Sequence, residues 1–483
     1  MKDIKVQEVG GYPIIKHYME ELGIYELFQS RFSLGGQDNS LISSSLCVLI
    51  MNILMSIKPL YKISEWLKDY SDGKSEFGYE AHQYNDDVLG RSLDALFKSD
   101  RSSLLTEISL QAIKHHNLCT KEVHNDTTTV TLSGAYETVQ SGVIPKQGYN
   151  KDGCPDAKQI VFGLNVLRDG HVPIHYKAYD GNTSDVDTHQ ANWLELKNLL
   201  NRTDFTYTAD SKLATKENMA YLSENGGKFA SILPASRLEV KKFKTQVKTG
   251  EVEPQWEIGL KRANSRKKGE EDVYEIYEGE KTEEGYSIYW IRSSSKRKQD
   301  AHRREEKLLK AEQELEALLP KLNKYYLKTK EKIEERLNQI LKGTEDLISV
   351  QIIENKEIIQ GKIGVGRISK HTQYKEEEVI TYNILFQREE QAIAMDTKID
   401  GLFPLVTNIP NTEKSPTEIL TIYKEQPYLE SRFSTMKSIL EVAPMFLKLP
   451  RRIEAMLFLY FIALMIIALI ERKIRNSMEE EKN

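Results

Sequence analysis

The feature that most constrains this chain of 483 residues is a nearly all-apolar run from Ala455 to Ile470 (AMLFLYFIALMIIALI), bounded by Glu454 and Glu471. As an α-helix it would span about 24 Å, short of the ~30 Å hydrocarbon core of a bilayer. A helix that is apolar all round has to be covered all round. The run therefore predicts a helix buried inside a large core, with no membrane partner; a membrane span is the competing reading.

The length is too great for one small domain and predicts two to four. With 40% hydrophobic and 29% charged residues, the chain can build a core and does not have the composition of a disordered protein. The net charge of −5 gives no global basic signature, so any nucleic-acid partner would need a local basic patch. Cys47, Cys119 and Cys154 form no CxxC or CxxH pair, which argues against a structural zinc site and fits a reducing cytosol. The N-terminus, MKDIKVQEVGGYPIIKHY, lacks a long apolar run after its basic start and gives no secretory signal, so a cytoplasmic location is expected.

Residues 1–118 read as a helical domain, with Gly35-Gly36 and Ser71-Asp72-Gly73 as breaks; it could bind DNA through a helix-turn-helix or be a plain bundle. Residues 119–233 change to an α/β pattern. Glu122 to Leu132, Gln159 to Leu167 and His171 to Ala178 read as strands, the last two joined through Arg168-Asp169-Gly170, a hairpin signal. A helix over Asp187 to Leu200, a strand over Phe205 to Asp210, a helix over Thr215 to Glu224 and a strand over Lys228 to Leu233 follow. This order predicts a mixed sheet with helices packed on it. Residues 234–399 combine polar β-like pieces (Asp272 to Tyr277, Tyr286 to Ile291) with a charged helical tract, Lys298 to Lys342. Leu308, Leu315 and Leu322 fall at heptad spacing, Ile333, Leu337 and Ile340 continue the stripe, and Pro320 splits the tract into two helices. The tract's charges suit a solvated face or a DNA-facing one. Residues 400–483 return to the core through a strand, Gly401 to Thr407, and helices over Thr417 to Leu440 and Arg451 to Arg475.

Three acids stand out. Asp126 lies inside a Thr- and Val-rich strand, where a carboxylate is costly unless solvated, paired or metal-bound. Asp210 ends the fourth strand, and if the first and fourth strands are neighbours the two side chains converge. Paired carboxylates can share hard cations such as Mg²⁺, and two ions about 3.5–4 Å apart can serve phosphodiester chemistry. Glu430 is seven residues from both Tyr423 and Lys437, so one helical stripe would offer a carboxylate, a lysine and a tyrosine, provided Pro427 opens or merely kinks the helix. Each aspartate alone also fits a turn or capping role.

On these residues the sequence resembles the bacterial insertion-sequence DDE transposases, in the group whose RNase H-like core carries a β-rich insertion. That group has a Tyr-x2-Arg-x3-Glu-x6-Lys signature. Tyr423, Glu430 and Lys437 keep its spacing, while Gln426 stands where the pattern has Arg. Asp126 in HNDTTTV and Asp210 in YTADSKLAT match the two family aspartates, and Gly148 to Asp185 and Asp400 to Asn408 extend the likeness. The resemblance implies an RNase H-like mixed sheet with flanking helices, interrupted by a β-plus-helical insertion and preceded by a helical domain. It implies Asp126, Asp210 and Glu430 as catalytic residues holding two Mg²⁺ ions, with Mn²⁺ as a substitute. Tyr423, Gln426, Lys437 and Arg432 (a stand-in for the missing Arg) would bind DNA phosphate. It further implies cleavage at element ends and strand transfer into target DNA, performed by a homodimer on double-stranded terminal inverted repeats. A transposase-derived DNA-binding protein that has lost catalysis is the alternative, for which Gln426 leaves room.

Other candidates read more plainly as structure. Asp185, Asp187 and His189 could bind metal, although Asn182 to Asp185 reads as a turn and helix cap. His115-His116 reads as an exposed helix pair, and Gly361 to Gly366 as a β-turn because it lacks the P-loop order. Trp256 and Trp290 could stack on a base or simply pack.

Overall fold

The computed structural model describes residues 10–32, 39–70, 78–136, 141–264, 269–362, 374–443 and 445–481. The expected breaks at Gly35-Gly36 and Ser71-Asp72-Gly73, and most of the Gly361 to Gly366 stretch, lie outside them. The chain forms two compact units. The first takes the chain up to Pro234, Glu280–Ile288 and the chain from Leu405; the second takes Ala235–Gly279 and Tyr289–Pro404.

The first unit opens with α1 (Tyr12–Glu21), α2 (Ile24–Phe32), α3 (Ser40–Met55), α4 (Leu60–Tyr70), α5 (Asp86–Lys98) and α6 (Arg101–His115). Asn85 caps α5 by accepting from the Val88 N–H, and Asp100 caps α6 by accepting from Ser103. Next come β1 (Glu122–Thr131), β2 (Gln159–Leu167), β3 (Pro173–Tyr179), α7 (His189–Leu200), β4 (Thr206–Thr208), α8 (Lys216–Glu224) and β5 (Lys228–Ile232). Strands β1, β2 and β3 form an antiparallel meander. Its second turn has positive φ at Gly170 (69°) and His171 (55°) in succession, the requirement of a tight hairpin turn with two left-handed central residues. The turn thus sits one residue later than the Asp-Gly pair suggests, and β3 starts at Pro173 rather than His171. Strands β4 and β5 run parallel to β1, joined by the crossover helices that parallel pairing demands. The order β3-β2-β1-β4-β5 is the RNase H-like arrangement.

The second unit contains α9 (Leu238–Thr249), β6 (Glu257–Ala263), β7 (Glu271–Glu278), most of β8 (Ser287–Ser293), α10 (Ser294–Leu318), α11 (Lys330–Ile340), β9 (Ile348–Lys362), β10 (Tyr374–Arg388) and α12 (Glu390–Thr397). Strand β7 pairs with both β6 and β8, and β9 pairs with β10. Pro320 sits in a 3-10 turn after α10, so the charged tract is two helices. The heptad leucines Leu308, Leu315 and Leu322 and the stripe Ile333, Leu337, Ile340 bury together with Ile348 and Ile384. Trp290 is core, stacked on Phe243 at 3.9 Å between ring centres, and the Arg292 guanidinium covers Trp256 at 4.6 Å.

The chain then enters β11 (Leu402–Thr407), which pairs antiparallel with β5. The single helix expected over Thr417 to Leu440 is in three pieces: α13 (Pro416–Tyr423), α14 (Gln426–Ser434) and a π-helical turn, Thr435–Ile439. Pro427 lies in the first turn of α14, where its missing N–H costs nothing. Helix α15 (Pro450–Glu480) carries the apolar run, and 83% of its most apolar window is buried within the protein. It packs on α3, α5 and β3, with Phe461 stacked on Tyr176 at 5.1 Å. Arg451 and Arg452 at its start each reach Asp94 at 2.7 Å, and Arg472 near its end pairs with Asp169 at 2.6 Å. Replacing the fully buried Phe461 by Ala is expected to cost about 3–5 kcal/mol, read as a shifted denaturant midpoint. A loss below ~1 kcal/mol would mean that α15 is not the core element described.

Candidate active site

The site starts from strand register. Glu122, Val123 and His124 of β1 face Thr206, Tyr207 and Thr208 of β4. The same offset carries Asp126 to Asp210, two residues past the end of β4. Parallel neighbours lie ~4.8 Å apart and side chains alternate faces, so the two carboxylates stand side by side on one face. The opposite face fixes this spacing with a buried polar network. Asn125 Nδ2 donates to Asn165 Oδ1 (3.0 Å), Asn165 exchanges hydrogen bonds with Asn192 (2.7 and 2.8 Å), and Asn192 Nδ2 donates to the Tyr207 hydroxyl (2.9 Å).

Both aspartates are hard to ionise. Burial pushes the Asp126 carboxyl up to about 6, opposed by the Lys151 ammonium and the Thr127 N–H (2.7 Å), and reinforced by Asp210 and Asp185. Burial also raises Asp210, against the Lys212 N–H (2.9 Å), with Asp185 adding to the rise. Mutually repelling, partly buried carboxylates are the donor set a hard divalent cation satisfies, and their chemistry fits Mg²⁺.

Glu430 is carried by α14, which packs against β1. Gln426 is buried at the start of that helix; its Nε2 donates to the Asn125 carbonyl (2.8 Å) and its Oε1 meets His124 Nδ1 at 3.0 Å. Arg168 pins the preceding turn by pairing with Glu425 and Glu122, both at 2.9 Å. Glu430 lies four residues beyond Gln426, on the same helical face, and is exposed. Tyr423, at the end of α13, joins the three acids: burial raises its hydroxyl pKa, and the charges of Asp210, Glu430 and Asp126 raise it further. Among the described residues no three His, Cys, Asp or Glu side chains stand close enough together to hold a metal ion, so the three acids are not gathered into a metal site in this conformation.

The other expected phosphate ligands are placed differently. Gln426 is a docking residue with both polar ends engaged inside the protein. Arg432 is buried, donating to the His171 (2.9 Å) and Gly170 (3.1 Å) carbonyls and pairing with Glu471 (2.6 Å), so it locks α14 to the β2–β3 turn and does not replace the missing Arg. The π-helical turn breaks the seven-residue relation of Glu430 to Lys437, whose ammonium pairs with Asp152. Spacing alone indicates a face, and it could not reveal how deep each side chain lies.

Two further residues stand near the acids. Lys151 has no local sequence signal; its Nζ donates to the Thr127 carbonyl (2.7 Å) and lies 3.6 Å from Asp185. Asp185 opens a 3-10 turn after Ser184, whose side chain makes no capping bond, and accepts from the Thr127 hydroxyl (2.6 Å), which turns it toward Asp126. His189 is buried with Nδ1 3.1 Å from the Tyr207 hydroxyl, Asp187 is exposed, and His115 and His116 meet Glu21 at 3.2 and 3.7 Å.

An RNase H-like sheet with two paired aspartates and a helix-borne glutamate defines a carboxylate-centred core. Residues 146–466, more than half of the chain, match the family described as the transposase DDE domain, and the chain belongs to that family. Asp210 and Glu430 lie inside the match and Asp126 ahead of it. Residues 4–110 match a domain of unknown function, DUF4277. Among solved structures, the chain is similar to a piggyBac transposase synaptic complex with hairpin DNA, at 13% identity and a TM-score of 0.31, covering 58% of this chain and 60% of that one. It is similar also to a Mos1 transposase paired-end complex with left transposon end, at 12% identity and a TM-score of 0.17, covering 36% and 58%. The chain therefore spans less than two thirds of those proteins. No curated protein matches it.

The raised Asp126 pKa sets a sign for stability. Between its ordinary value and about 6 the folded state holds a proton that the unfolded state releases, so stability falls as pH rises through that window. Asp126→Asn removes the effect and keeps the acceptor for Thr127. In metal-free buffer the variant is expected to be more stable above about pH 6, by at most ~3 kcal/mol, with the gain vanishing near pH 4. Melting curves at the two ends of the range check this; an equal shift at both would contradict it.

Proposed function

We propose that this chain is an active DDE transposase that cleaves DNA at the ends of its element and joins the freed 3′ ends to target DNA. The observation that carries the reading is the β1–β4 register, whose offset, continued past the paired residues, brings Asp126 level with Asp210, together with the proximity of Asp210, Glu430 and Asp126 to the Tyr423 hydroxyl, whose pKa their charges raise. Asp126, Asp210 and Glu430 would hold two Mg²⁺ ions, which Mn²⁺ could replace. When bound, the ions would lower the pKa of the attacking hydroxyl or water and neutralise charge on the phosphate and leaving oxygen. The chain's own residues orient these acids: Thr127 and Lys212 N–H groups fix the aspartates, and Gln426 and Arg168 seat α14 so that Glu430 shares their face. Tyr423 keeps its proton and can donate to a phosphate oxygen.

The partner is double-stranded DNA, both terminal inverted repeats and target. The working form is a homodimer bridging two ends, in the cytoplasm and on the nucleoid. The domain plan is a helical 1–118, a catalytic core in 119–233 and 400–483, and an insertion over 234–399; the second compact unit supports the insertion, while 1–118 and the core fall in one unit. Asp126→Asn, Asp210→Asn and Glu430→Gln are each expected to reduce Mg²⁺-dependent nicking of a cognate-end duplex at least 10³-fold, on the order seen when one essential electrostatic group is removed. Duplex affinity should change less than about threefold. Nicking that survives all three substitutions would overturn the assignment. Binding without nicking in the unmodified chain would favour a DNA-binding protein that has lost catalysis.

A further inference from the structure

The second unit holds a basic cavity that the chemistry above does not use. It has a volume of about 370 Å³ and is built largely on the basic first half of α10, with α9 and α12 beside it. Lys296, Asp300, Arg303, Arg304 and Lys307 recur at three- and four-residue steps, so they share one face of α10. Lys244 of α9 faces the same space, as do Asp396 and Asp400.

The acids there are already engaged. Asp300 takes both its oxygens to Lys296 and one also to the Gly401 N–H (2.9 Å). Asp400 forms a two-pronged pair with Arg304, at 2.7 and 2.8 Å. Asp396 is met by Lys248 at 2.5 Å and by Arg304 at 3.4 Å. Lys244, Arg303 and Lys307 have no ion-paired carboxylate within salt-bridge distance among the described residues. The nearby charges are Asp300 for Arg303 and Glu345 for Lys307; Glu345 is itself turned onto the Gly343 N–H (2.8 Å). Burial pushes the Lys244 ammonium down, and Lys296 adds to the repulsion. Arg303 and Lys307, like charges one turn apart on an exposed helix face, repel each other and gain nothing from the fold.

We infer that this cavity binds a phosphodiester of duplex DNA, with Arg303, Lys307 and Lys244 closing on the phosphate oxygens and the Arg304–Asp400 and Lys296–Asp300 pairs holding the walls. Three cations of different reach, one a planar fork and two point charges, suit a phosphate oxyanion rather than an apolar ligand. The inference rests on the transposase reading for the source of the phosphate. It gives the inserted unit a direct part in holding DNA on a protein whose overall charge is −5.

The test uses the full chain and a cognate-end duplex, followed by fluorescence anisotropy over a range of salt. Arg303→Ala with Lys307→Ala is expected to weaken binding at least tenfold at about 0.1 M salt. It should also reduce the slope of log K against log salt by ~1–2, since each lost phosphate contact removes about 0.9. The matched double variant Lys328→Ala with Lys332→Ala, which changes the same charge outside the cavity, should stay within twofold. Both pairs are exposed, so neither change threatens folding. Unchanged affinity and slope in the Arg303/Lys307 variant would overturn the inference. Pyrophosphate that stabilises the unmodified chain but not this variant, with duplex binding unaltered, would show a free-phosphate site and overturn the DNA source. If the unmodified chain neither binds nor nicks the duplex, the transposase reading itself fails.

Discussion

The parallel pairing of β1 with β4 is the constraint on which the site depends. Two strands far apart in sequence are held at one offset, and that offset sets Asp126 beside Asp210. A slip of one residue would turn one carboxylate to the opposite face. The register is held from behind by Asn125, Asn165, Asn192 and Tyr207, whose hydrogen bonds are satisfied only when β1, β2, β4 and α7 meet as they do. Buried polar networks of this kind are costly when half-made, which makes them effective at specifying one alignment. The same burial that fixes the strands raises both aspartates and leaves them short of positive charge.

The C-terminal helices answer the rest of the geometry. Gln426 reads the backbone of β1 at Asn125 and the ring of His124, and this anchors the start of α14, the helix that bears the exposed Glu430. Arg432 ties the same helix to the β2–β3 turn, and Lys437 ties the π-helical turn to Asp152 in the loop that also presents Lys151. Much of what resembles a DNA-contacting stripe in sequence is therefore the scaffolding that positions one glutamate. Beneath it, α15 supplies the apolar floor, its two ends fixed by arginine–aspartate pairs.

The strands and the core helix were legible because their signals are local. Alternating β-branched residues give β1, a mostly apolar nine-residue stretch interrupted at Asn165 gives β2, and the sixteen-residue apolar run gives α15. The break of the charged tract at Pro320 was equally readable. Depth and offset were not. Seven-residue spacing gave Tyr423, Glu430 and Lys437 a common stripe, yet a non-helical turn at Lys424-Glu425 and a π-helical turn interrupt it. Arg432 and Gln426 are polar residue types that usually signal surface, and only tertiary partners such as the Gly170 and His171 carbonyls explain their burial. Lys151 carried no local mark, and Asp185 was readable only as a turn residue or possible ligand, because the place of both beside the acids comes from loops folding back onto Thr127.

The central claim is that three distant acids form one divalent-cation site. Its most direct measurement is Mn²⁺ binding to the full chain with a cognate-end duplex, read by electron paramagnetic resonance. The account expects two spin-coupled ions per chain, with both Asp126→Asn and Asp210→Asn abolishing the coupling and Glu430→Gln weakening one ion. Mn²⁺ stoichiometry and coupling left unchanged by these substitutions would contradict it.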